Sequence, residues 1–180
     1  MKKESVYRLV FTALMAALVC VATFLRFPLL GSKVHLGNTL CLLSGLLLGG
    51  TAGGLAAGIG SALNDLVSGY PIDELLVTFV SKFLMAFICA LLVGKSEKRG
   101  RLLLGCTVGA LSYVVLYMLK TFVYRRFIYG YPIDAVWATM LSKLPASLIN
   151  AVFAIVVAPI LYSAIRPALQ KAGLLEKMRK

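Results

Sequence analysis

Acidic side chains are in short supply: seven Asp and Glu stand against 19 Lys and Arg in 180 residues, and charged residues of every kind make up 14%. An ordinary soluble domain carries roughly 25% charged residues, so that class is excluded first. Histidine occurs once, at His35, which reads as a hydrogen-bonded loop residue rather than a metal ligand. Four cysteines (Cys20, Cys41, Cys89 and Cys106) lie inside apolar runs without a CxxC pair. They read as small buried hydrophobes, neither disulfide-forming nor metal-binding. No GxxxxGK[ST] loop and no nucleophile-plus-base arrangement occurs, so no catalytic residue and no cofactor is expected. Any work that needs ATP falls to another chain.

What is abundant is hydrocarbon. The chain is 60% hydrophobic with a mean hydropathy of +0.90, and its apolar runs recur instead of standing once at the N-terminus. A cleaved signal peptide does not explain that pattern. The net charge of +12 does not indicate nucleic acid, because the basic residues flank apolar segments and cover no single face. The expected fold is an all-α integral membrane protein, one domain of six transmembrane helices. The spans fall at about 7–25, 38–48, 54–68, 74–93, 102–120 and 135–162. A loop with Pro28, Gly31 and Lys33 follows the first. Helices 2 and 3 are short and glycine-rich, hinged at the pairs Gly49-Gly50 and Gly53-Gly54, where small residues let helices approach closely. The sixth bends at Pro145 and ends near Pro159. Residues 163–180 form a basic tail that lies on the inner membrane surface or meets a partner.

Lys and Arg bias gives the orientation. Lys2, Lys3 and Arg8, then Lys95, Lys98, Arg99 and Arg101, then Arg166, Lys171, Lys177, Arg179 and Lys180 fall on one side. Arg26, Lys33, Lys120, Arg125 and Arg126 fall on the other, so both termini are expected in the cytoplasm.

The pentapeptide GYPID appears twice, at 69–73 and 130–134. A shift of 61 residues aligns 10 identities in 25 positions, including Lys82 with Lys143 and Thr78 with Thr139. Asp73 and Asp134 are expected to cap helices there. Each lysine lies nine residues beyond its aspartate, ~14 Å along a helix, and an ammonium at that depth costs at least ~2.5 kcal/mol unless it faces protein or water. Glu74, Thr78 and Lys82 form one helical stripe; Thr139, Lys143, Ser147 and Asn150 form another. The economical reading is that the stripes face each other across a wet pocket. Snorkelling or structural pairing is the alternative. Lys33, His35, Asn38 and Asp65 belong to the same region, Asp65 as a partner for Lys82 or for a substrate amine. Tyr117, Tyr124, Tyr131 and Trp137 either line the pocket or collect at the membrane interface. Two lysines with few acids point to a small ligand with an anionic or strongly accepting group. A lipid-modifying enzyme holding a phosphate headgroup and a small channel are competing readings.

The length, the six helices and the glycine-rich second and third helices resemble the substrate-binding S component of energy-coupling factor (ECF) vitamin transporters. "FTALMAALVCVAT" resembles the family's Ala-x-x-x-Ala surface at Ala13 and Ala17, with Ala16 beside them. "HLGNTLCLLSGLLLG" and "LNDLVSGYPID" are similar to its second and third helices. The resemblance implies a multi-pass protein of a prokaryotic plasma membrane that captures a vitamin-like molecule from outside. It further implies docking through Ala13, Ala16 and Ala17 on a transmembrane coupling subunit driven by two cytoplasmic ATPases. Lys33, His35, Asn38, Lys82, Lys143 and Asn150 would then be pocket residues.

Overall fold

A computed structural model describes residues 3–29, 32–94 and 98–179. Gly31 of the expected loop, and Lys2, Lys95 and Lys180 of the charge bias, lie outside the described residues. The order is α1 (Lys3–Phe24), β1 (Arg26–Leu29), β2 (Ser32–His35), α2 (Gly37–Leu48), α3 (Gly50–Val67), α4 (Ile72–Val93), α5 (Arg99–Val123), a π-helical turn (Tyr124–Ile128), α6 (Ile133–Lys171) and α7 (Leu174–Arg179). Four of these helices, with spans Val6–Phe24, Ile72–Val93, Arg99–Ile128 and Ile133–Lys171, are long and apolar enough to cross a bilayer. α2, with 12 residues, is only ~18 Å long. Leu9, Leu91, Val115 and Val152 stand exposed on the long helices. Apolar exposure on that scale suits lipid rather than water.

The expected loop after α1 is an antiparallel hairpin in which Arg26 faces His35, Phe27 faces Val34 and Pro28 faces Lys33. Proline argues against a central strand, but in a two-stranded ribbon every strand is an edge and the missing N–H is tolerated.

Glycine sets the packing of α3. Gly50, Gly54 and Gly58 recur every fourth residue and receive Phe87, Phe83 and Phe79 of the antiparallel α4, whose rings lie at or inside ordinary contact of a built Cβ. Those three rings stack along α4 with centroids 6.3 and 5.6 Å apart. On another face of α3, Gly53 lies against the Ser44 carbonyl and Gly45 of α2, at 2.5 and 2.6 Å from where a Cβ would stand. The hinge is Gly49 alone, with φ 83°. α3 therefore begins at Gly50 rather than 54, and Gly53-Gly54 lies inside the helix, where absent side chains serve close approach.

α6 runs unbroken past Pro145, Pro159 and Pro167 to Lys171, beyond the expected end near Pro159. Membrane helices absorb proline because neighbours and local adjustments satisfy the freed carbonyls. Gly173, with φ 63°, then turns the chain back. α7 packs on α1, α2 and α6 with Leu175 and Met178 buried. Residues 163–171 of the expected tail thus continue α6, and α7 alone is folded back, with Leu175 and Met178 joining the core.

Candidate functional site

Both GYPID copies build the same backbone device. Gly69 and Gly130 adopt φ of 78° and 68°, and Pro71 and Pro132 are extended N-caps of α4 and α6. Asp73 and Asp134 sit in the first turn, where the helix dipole favours them, but neither cap residue makes a side-chain cap bond. Proline occupies each cap, so the aspartates expected as caps stand inside the first turn instead. The two starts aim α4 and α6 into the same end of the bundle, beside the hairpin.

At that end α1, the hairpin, α3, α4, α5 with its π-turn, and α6 enclose a cavity of about 390 Å³, the size of a small-molecule site. Lys82 lies at its floor, ten residues into α4, ~15 Å from the helix start. It is 3% exposed. Its Nζ donates to Oδ1 of Asn38 on α2 and sits 3.4 Å from the Tyr113 ring centroid. An amide acceptor and a π face are what a desolvated ammonium needs in place of water. Asn38 is buried behind Lys82 and is outside the lining. Asp65 lines the cavity from α3, yet among the described residues it forms no ion pair with Lys82; the pair present is Lys120 Nζ to Glu74 Oε2 at 2.8 Å.

Lys143 enters from α6, also ten residues past its helix start. Its Nζ stands 5.7 Å from the Tyr117 centroid and, among the described residues, has neither hydrogen bond nor ion pair. The lysines that the repeat makes equivalent in sequence are therefore unequal: Lys82 is partnered and buried, Lys143 half-buried and available.

Asn150 has a structural task. Its Oδ1 accepts the His35 N–H at 2.9 Å, and its Nδ2 donates to the Lys33 carbonyl at 2.8 Å. One side chain thus fastens the β2 backbone to α6. Lys33 Nζ donates to the Tyr70 hydroxyl at 3.2 Å, tying the hairpin to the first GYPID turn. His35 Nδ1 accepts the Gly37 N–H at 3.1 Å, which fixes the neutral tautomer with its proton on Nε2. Burial, with Lys82, Arg26 and Lys33 nearby, pushes the imidazole down from 6.5 to about 3.

Of the α6 stripe, Lys143, Ser147 and Asn150 line the cavity, whereas Thr139 does not. Its hydroxyl donates back to the Ala135 carbonyl at 2.8 Å. Thr78 lines it from α4. Of the aromatics, Tyr117 and Tyr124 line it; Tyr131 and Trp137 do not. Sequence reasoning missed Tyr113, Ser81, Arg26, Lys120 and Arg125 in the lining. The spacing Tyr113, Tyr117, Thr121 at every fourth residue is a third stripe that could have been found, on α5. On α1, Ala13 and Ala17 are exposed, but Ala16 is buried with its carbonyl against Gly60 of α3. The expected docking surface therefore loses Ala16, which the helical period turns inward.

The model of a family described as "ECF-type riboflavin transporter, S component" matches residues 3–167. A solved structure reported as "Structure and mechanism of the S component of a bacterial ECF transporter" superposes with a TM-score of 0.72 at 18% identity, covering 90% of this chain and 96% of that one. At that identity the likeness shows a shared fold. A curated protein of Pyrococcus woesei, described as an "Uncharacterized protein in gap 3'region", is 35% identical over 108 residues, 58% of this chain and 72% of its own length.

Proposed function

Because the chain belongs to the family of ECF-type riboflavin transporter S components, we propose that it is the capture subunit of an ATP-driven importer. It takes a vitamin or related micronutrient from the extracellular side into the cavity at the hairpin end. The carrying observation is that cavity: a polar chamber of about 390 Å³ within an otherwise apolar bundle, where polar groups are expensive without a function. In this reading six helices cross the plasma membrane of a prokaryote, α2 and α3 completing the four long spans, with both termini in the cytoplasm. Family membership favours this reading over a lipid-modifying enzyme or a channel.

Recognition divides among the walls. Tyr113 and Tyr117 stack with centroids 6.1 Å apart on α5 and offer a flat face to a planar ring; the family description names riboflavin, which has one. Thr78, Ser81, Ser147 and neutral His35 supply hydrogen bonds. Lys33 and Asn150 hold the hairpin as the wall that separates ligand from water. Energy comes from two cytoplasmic ATPases through a transmembrane coupling subunit, which meets the exposed Ala13 and Ala17 of α1.

The test separates capture from delivery. Ala13→Leu and Ala17→Leu place bulk on the docking face, far from the cavity. Ligand binding to purified protein should persist in both, while uptake by cells that also express the coupling subunit and ATPases is abolished. Loss of binding in these variants, or normal uptake, contradicts the assignment.

A further inference from the structure

The cavity is electrically lopsided. Arg26, Lys33, Lys82, Lys120, Lys143 and Arg125 line it, against the carboxylates of Asp65 and Glu74 only. Glu74 is already neutralised by Lys120 at 2.8 Å. Lys82 is satisfied by Asn38 and Tyr113, Lys33 by Tyr70, and Arg125 leans on the Tyr131 ring at 5.1 Å. Lys143 alone of the deep cations combines partial burial, a position at membrane depth and no polar partner among the described residues. A cation so placed is stabilised most by a counter-ion that arrives with the ligand.

We propose that Lys143 reads an anionic group, carboxylate or phosphate, on the captured molecule, while Lys82 holds the cavity floor. This rests on the capture reading above and adds a substrate class to it. The ligand is an acidic, ring-bearing or similarly compact micronutrient, bound with its acid at Lys143 Nζ beside the Tyr117 ring. The remaining lining cations raise the local concentration of anions without contacting the acid. Lys143 therefore sets specificity, and its duplicate Lys82 positions the site.

Matched pairs of probes that differ in the acid alone test this: riboflavin 5′-phosphate against riboflavin, nicotinate against nicotinamide, pantothenate against panthenol. Binding to the detergent-purified full chain is followed by calorimetry and thermal shift. The acidic member of at least one pair should bind more tightly, by about tenfold to a hundredfold, the range of a charge-assisted contact. Lys143→Gln should erase that preference, Lys143→Arg should retain it, and added salt should narrow it in the wild type. Several outcomes overturn the inference. One is a preference for the neutral member. Another is a ratio unchanged in Lys143→Gln, which is what a merely structural lysine gives because both members weaken together. Tight binding of a neutral vitamin with no acidic preference removes Lys143's role and leaves the capture reading standing. Failure of every probe, acidic and neutral, to bind or stabilise wild-type protein removes both.

Discussion

Removing the Asn150 amide should loosen the chamber without emptying the core. Asn150 is 6% exposed and makes two bonds to one strand, accepting from the His35 N–H at 2.9 Å and donating to the Lys33 carbonyl at 2.8 Å. Each intramolecular bond contributes roughly 0.5–1.5 kcal/mol net. Asn150→Ala thus costs the attached state of the hairpin about 1–3 kcal/mol, a shift of about fivefold to 150-fold in the ratio of detached to attached hairpin. The His35 amide reports directly, since its proton is the one that Asn150 Oδ1 holds. Hydrogen exchange at residues 32–35 should accelerate by that factor, and the ligand's dissociation rate should rise with it. Asn150→Asp is a sharper probe. It keeps an acceptor for His35 but turns an oxygen toward the Lys33 carbonyl, so it should rescue little. Unchanged exchange at His35 in Asn150→Ala would refute the strap.

Two further consequences follow from neighbouring features. Gly53→Ala places a methyl 2.5 Å from the Ser44 carbonyl oxygen and should lower stability by about 1–3 kcal/mol in detergent unfolding. Gly100→Ala, with nothing within 4 Å, should not, and equal losses would contradict the packing argument. The His35 imidazole is held down to about 3 from 6.5, so the unfolded chain takes up a proton before the folded chain does. Stability is full above pH 6.5 and falls as pH drops toward 3, by on the order of 1–2 kcal/mol at pH 5. His35→Gln should flatten that decline in a pH series of melting curves, and an unchanged slope would place the titration elsewhere.

The membrane class, the helical starts after each GYPID and the polar stripes were legible because hydropathy and the helical period are local properties. Lys82 and Lys143 stood out since an ammonium in an apolar run needs a reason. Their different duties were illegible: which lysine meets Asn38 is decided by a contact spanning 44 residues. The role of Asn150 was hidden in the same way, its partners lying 115 and 117 residues away. Ala16 was misjudged because small-residue spacing does not say which side of α1 looks inward. The hairpin escaped because four-residue strands containing proline carry no period. The fold-back at Gly173 is not legible because apolar residues such as Leu175 in a basic tail suit a membrane surface, a partner or the chain's own core equally well.

Native mass spectrometry of the detergent-purified chain asks most directly whether the chamber is a capture site. One small molecule should remain per protein as the micelle is stripped, and added vitamin should exchange with it one for one. A chain that flies bare from every preparation and takes up no vitamin offered in excess would contradict the account.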